Sequence, residues 1–147
     1  MRRDLLHGLT YIEQKYEDLS ANPLALVRAH TIKYINRPYY HYYIRGGSIM
    51  RSKIDPKDMV DVLKLVEDRL KKQDTSSLNL PDFRYYTYSW RIEEYIFTPL
   101  FDLSGKELSA AVSYIYKHLY QVIVDVAAHP LYRELITKLP NPKMQEF

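Results

Sequence analysis

Residues 31–54 read TIKYINRPYYHYYIRGGSIMRSKI, and the reading of this stretch decides the fold. Tyr39-Tyr40-His41-Tyr42-Tyr43-Ile44-Arg45 is a run of aromatic and β-branched residues, which suit a pleated, half-buried surface. Ahead of it, Ile32 and Tyr34 alternate with Thr31 and Lys33. Asn36-Arg37-Pro38 carries turn chemistry. Pro38 can begin a strand without breaking a ladder. Gly46-Gly47 tolerates the positive φ that tight hairpins need. Residues 48–54 then give a third strand. The pattern predicts a three-stranded antiparallel meander.

Side chains alternate across a strand, so the meander separates into two faces by parity. Ile32, Tyr34, Tyr40, Tyr42, Ile44, Met50 and Ile54 form the expected core face. Thr31, Lys33, Tyr39, His41, Tyr43, Arg45, Arg51 and Lys53 form the other face, which is both basic and aromatic. Charge falls on one parity in all three strands, which fixes the register.

Outward from the meander the chain reads as helix. Asp55-Pro56 is a helix start, with Asp at the N-cap and Pro at the first helical position. That helix runs to about residue 73, with Met59, Val62, Leu63, Val66 and Leu70 as an apolar stripe facing the sheet. Upstream, Leu5, Leu9, Ile12, Tyr16 and Leu19 recur at helical spacing over residues 3–20, and Asn22-Pro23 ends the helix. Downstream, residues 83–97 are aromatic-rich; helix is expected from Ser89, and the start is open between strand and helix. Ser104 and Glu107 have capping-box spacing. The helix they open reaches about Ala128, with a wide apolar face from Leu108 to Val126, extended by Tyr116, Tyr120 and Val124, that predicts a central, largely buried element. His129-Pro130 breaks it before a short last helix to about Leu139.

The expected fold class is therefore α+β: an N-terminal helix, a three-stranded meander packed on a helix, and a helical C-terminal half. The 147 residues fit a single domain, with residues 1–73 and 74–147 as its two subregions. About 70% of the unfolded surface can be buried at this length. There is no cysteine, which excludes disulfides, thiolate zinc sites and cysteine nucleophiles. A cytoplasmic setting is expected. No apolar run approaches the length of a spanning helix, and no membrane partner is expected.

Net charge is +3, but it is unevenly placed. From Arg28 to Lys57 there are seven basic residues and one acid, Asp55, so this window carries +6 and the remainder −3. A local basic stretch with 15 tyrosines in the chain points to an anionic partner. Lys and Arg neutralise phosphates, and aromatic rings stack on unpaired bases. The candidate binding residues are Lys33, Arg37, Tyr39, His41, Tyr43, Arg45, Arg51 and Lys53.

Catalytic motifs are missing. There is no glycine-rich phosphate loop, HExxH, EF-hand or G-x-S-x-G. Asp125 and His129 share a helix side, but a histidine favoured by the helix C-terminal dipole accounts for them without a metal. Asp82 with Glu93 and Glu94 lacks the acid-x-Lys pair of a metal nuclease. No catalytic residue, metal or cofactor is expected.

The Asn36-Arg37-Pro38 turn, the 39–45 strand, the Gly46-Gly47 turn, the 51–54 strand and the Asp55-Pro56 helix start resemble the sheet-plus-helix of AP2-like domains, the DNA-binding arms of tyrosine recombinases. The resemblance covers residues 33–72. It implies that the sheet contacts DNA through Arg45, Arg51 and Lys53. The expected function is a non-enzymatic nucleic-acid-binding protein, with DNA preferred to RNA, serving as an accessory protein of a mobile element. The alternative is a protein-interaction module, such as a small phage-type inhibitor or adaptor, docking on an acidic protein surface. The oligomeric state is open.

Overall fold

Asp55 opens the helix around which the rest is arranged. Its side chain accepts from the Lys57 amide at 2.9 Å, and Pro56 fills the first helical position, where its missing N–H costs nothing. The computed structural model describes residues 5, 7–9, 16–38, 40, 43 and 55–138. Among them run a 3₁₀ turn (Glu17–Ser20), α1 (Asn22–Val27), α2 (Pro56–Leu70), α3 (Leu80–Ile92), a π turn (Glu93–Phe97), α4 (Thr98–Leu100), α5 (Gly105–Ala128) and α6 (Pro130–Lys138).

The α+β expectation is overturned: regular structure among the described residues is helical, with no strand. Residues 31–36, taken as the first strand of the meander, carry no regular structure. The expected core-face residues Ile32, Tyr34 and Tyr40 are 66%, 84% and 80% exposed. The physical reason lies in what a strand requires. β propensity measures fit to a half-buried sheet surface, and it has no effect without a paired neighbour and a core to cover. Among the described residues the core is closed by helices and helical turns. The turn at Asn36 exists, as the Arg37 amide reaches the Ile35 carbonyl at 2.9 Å. Tyr42, Ile44, Met50 and Ile54, with the Gly46-Gly47 turn and the third strand, lie outside the described residues.

Two further boundaries differ from expectation. Asn22-Pro23 begins α1 and does not end a helix, because proline in a first turn is as compatible with a start as with a stop. Before it, Tyr16 sits in the left-handed region at φ 64° and Glu17–Ser20 is a 3₁₀ turn, so the segment expected as one helix over 3–20 is interrupted where it is described. The aromatic-rich segment 83–97 is helical throughout. Asn79 caps α3 by accepting from the Asp82 amide, and its amide group donates to the Asp82 carboxylate at 2.9 Å.

The stripe of α2 is buried as expected, but against helices. Met59, Val60, Leu63 and Val66 join Tyr88 and Ile92 of α3, Tyr95 and Ile96 of the π turn, Ile115, Leu119, Val122 and Val126 of α5, and Tyr132 of α6 in one core. Both halves of the chain contribute to it. The π turn precedes Pro99: the Thr98 amide and hydroxyl both reach back to the Glu93 carbonyl, the hydroxyl at 2.8 Å. The capping box at Ser104 does not form. Its side chain makes no cap bond, and the Glu107 and Leu108 amides go to its backbone carbonyl. Gly105 adopts φ 53°, a conformation costly for any residue with a Cβ.

Candidate functional site

The basic window divides once the helices form. Arg28, at its start, is drawn into the body: its guanidinium donates to Gln73 Oε1 at 2.9 Å and to the carbonyls of Leu5 and His7. Lys57, at its end, lies over the Tyr114 ring at 5.8 Å. Asp55, the window's one acid, is used in capping α2. Between them, Lys33, Arg37 and Tyr43 are exposed, and Lys33 and Arg37 make no ion pair among the described residues. Tyr39, His41, Arg45, Arg51 and Lys53 lie outside the described residues. Tyr34 and Tyr40, assigned by parity to a buried face, are exposed.

On the helical body some cations are paired, while others, such as exposed Lys106, Lys117 and Arg133, make no ion pair among the described residues. Arg84 donates to both oxygens of Glu67, at 3.1 and 2.7 Å, and to Asp125 at 2.5 Å. The hydrogen bond to Glu67 holds the guanidinium pKa above its ordinary value, against the opposing effect of burial. Lys64 and Lys71 both sit within salt-bridge reach of Asp68. Such exposed pairs contribute little stability.

Among the described residues, Asp82, Asp125 and His129, singled out in the sequence, are engaged in pairs within the fold. Asp125 is taken by Arg84 and by Gln121, the latter at 2.9 Å. The buried His129 ring stacks on Tyr85 with centroids 4.2 Å apart. Its Nδ1 accepts from the Leu131 amide at 3.3 Å, so the ring proton resides on Nε2 and is donated to Asp82 at 3.0 Å. Both nitrogens are engaged, in capping α6 and tying it to α3. Among the described residues no three His, Cys, Asp or Glu side chains gather as metal ligands. Asp82 is held by His129, and Glu93 lies elsewhere, beside Tyr132.

A second exposed feature lies on the body. α5 buries one stripe only: Ala111, Ile115, Leu119, Val122 and Val126. The expectation of a largely buried helix fails for its flank, where Val112, Tyr116, Tyr120 and Val124 are exposed. They border an apolar groove of about 800 Å³ whose other side is built by Phe97, Leu100 and Phe101. Glu93 and Tyr132 also line it. Burial pushes the Glu93 carboxyl above the usual range and Glu94 adds to this, while the Tyr132 hydroxyl pulls the other way. Sequence reasoning missed this surface. The signal was the breadth of α5's apolar sector, wider than one packed layer covers.

No protein-family model, no curated protein and no solved structure matches this chain. Among the described residues, no helix is long and apolar enough to cross a membrane.

Proposed function

We propose that this chain is a non-enzymatic nucleic-acid-binding protein whose recognition element is the basic and aromatic segment 33–53. The observation that carries the reading is the local excess of cations over acids: between Arg28 and Lys57 the one acid, Asp55, is used in capping α2, and Lys33 and Arg37 stand exposed without an acid partner among the described residues. An unpaired cation on a protein surface attracts phosphate, and each contact releases counterions. Exposed Tyr34, Tyr40 and Tyr43 are suited to stacking on unpaired bases, a mode that needs rings and not a sheet. The reading therefore survives the loss of the meander, although recognition through a rigid strand ribbon does not.

Fluorescence anisotropy with labelled single-stranded DNA, duplex DNA and RNA tests it. The expected result is micromolar or tighter binding that weakens with salt. Each phosphate contact should add about 0.7 to the logarithmic salt slope on single strands and about 0.9 on duplex. Lys33→Ala/Arg37→Ala should weaken binding alike across sequences and flatten that slope by roughly two contacts. Arg45→Ala/Arg51→Ala/Lys53→Ala should weaken it further. Absence of binding at low salt would sink the proposal and leave an acidic protein surface as the partner to seek.

A further inference from the structure

The exposed face of α5 carries an order that hydrophobicity alone does not explain. Val112, Tyr116, Tyr120 and Val124 follow one another at four-residue steps and so form a ridge along the helix. They are 48%, 66%, 52% and 39% exposed. The ridge is a palindrome about position 118: two residues away in either direction is a tyrosine, six residues away a valine. The same centre relates exposed Ser109 to exposed Ala127, two small residues on that face. The His118 side chain points away from the ridge, toward Tyr114 at 4.4 Å between centroids.

We propose that two copies of this chain pair through this ridge, with their α5 helices antiparallel about a two-fold axis at the level of residue 118. An isologous interface requires that if residue i meets residue j of the second copy, then j meets i. An antiparallel pairing centred at 118 does this with matched chemistry. Val112 faces Val124 of the second copy, and Tyr116 faces its Tyr120. A contact that runs from residue 109 to residue 127 on both helices requires a shallow crossing, of about 20°. Tyr116 and Tyr120 already touch within one copy, centroids 4.9 Å apart at 46°, so pairing joins two such contacts into a four-ring cluster. Ser109 and Ala127 let the backbones approach at both ends.

With full burial of an aromatic ring worth about 150–250 Å², the four ridge residues present on the order of 400 Å² per copy. A standard interface buries about 800 Å² per partner, so the ridge supplies about half of one and the pairing belongs with the weaker dimers. A patch of about 300–600 Å² is the largest that a typical monomer exposes, and such patches are often functional. The pairing does not depend on nucleic-acid binding, and it gives each assembled particle two basic segments.

Sedimentation or light scattering of the full chain over about 1–100 µM, a range matched to ordinary dimer affinities, reads the state directly. The expected mass is twice 17.5 kDa. Tyr116→Glu/Tyr120→Glu should return the monomer mass, weakening association by more than about 100-fold, with an unchanged helical circular dichroism spectrum. The absence of native cysteine permits a second test that needs no loss of function. Oxidising a mixture of Val112→Cys and Val124→Cys chains should give a covalent dimer of the two, while neither variant alone cross-links. A monomer mass at every concentration would overturn the proposal. So would a dimer unaffected by the glutamates, or cross-linking by Val112→Cys alone, which a parallel pair would give. A monomer that binds a different protein at the groove would overturn it as well.

Discussion

The helical body and the segment from Thr31 to Tyr43 are built from equally apolar and aromatic residues, yet they have opposite fates. In α2, Met59, Val62, Leu63 and Val66 are fully enclosed because α3, α5 and the 3₁₀ turn present complementary stripes. In the segment, Ile32 and Tyr34 meet nothing of that kind and stand in solvent. Charge shows the same dependence on a partner: Arg84 is fixed between Glu67 and Asp125, while Lys33 and Arg37, like exposed Lys106 and Lys117 of α5, are unpaired among the described residues. Hydrophobicity and charge therefore act as structure only where a partner is supplied.

The sharpest way to break the comparison is to remove a side chain on each side of it. Leu119, 1% exposed at the centre of the core, should cost about 2–5 kcal/mol as Leu119→Ala, through lost transfer energy and the cavity left behind. Thermal or urea unfolding would measure it. A loss below about 1 kcal/mol would show that the helices do not share the core described.

A smaller effect tests the body's own unsatisfied chemistry. Glu93 Oε1 is buried without a hydrogen-bond partner, and its carboxyl pKa is raised, with burial the first cause. A carboxyl raised in the folded state holds its proton more tightly there than when unfolded. Stability from this group is therefore greatest below its unfolded pKa and declines as pH rises through the folded one. Glu93→Gln should flatten that decline and raise stability at pH 7 by at most ~1 kcal/mol after solvent screening. At acid pH it should change little. Unfolding midpoints measured across pH check both; a loss at neutral pH would mean that the carboxylate is stabilising as the anion.

The smallest effect completes the contrast. Ile32→Ala/Tyr34→Ala should leave the unfolding midpoint within about 0.5 kcal/mol of the parent, as expected of exposed positions, while lowering affinity for single-stranded nucleic acid. A large loss of stability would place these residues in the fold and not on its recognition surface.

The helices were legible where local chemistry and tertiary need coincide. Asp55-Pro56 starts α2, the Ala111-to-Val126 stripe marks α5, and His129-Pro130 separates α5 from α6; each signal is local and each is obeyed. The lack of a strand at Thr31 to Ile35 was not legible, because alternation reports only what a sheet would want, and pairing is decided elsewhere in the chain. α3 was half legible: its tyrosines favour strands by propensity, while Asn79 and Pro81 supply the start that the helix uses. Of the candidate site, Lys33, Arg37 and Tyr43 are exposed, but so are Ile32, Tyr34 and Tyr40 of the opposite parity, so parity does not separate two faces where no sheet forms. The α5 flank was read as core because composition does not tell how much of a wide apolar sector the neighbouring helices can reach.

The π turn at Glu93–Phe97 has a bearing on how this molecule tolerates insertion and deletion. A π turn accommodates one residue more than the α-helical register on either side of it. Deleting one residue between Glu93 and Thr98 would bring the Thr98 amide into the i−4 spacing of an ordinary helical bond to the Glu93 carbonyl. That restores the α-helical register and keeps Leu100 near the groove wall. The same deletion within α3 or α5 would turn everything after it by about 100°, so the turn is a place where the chain can lose a position with less disturbance.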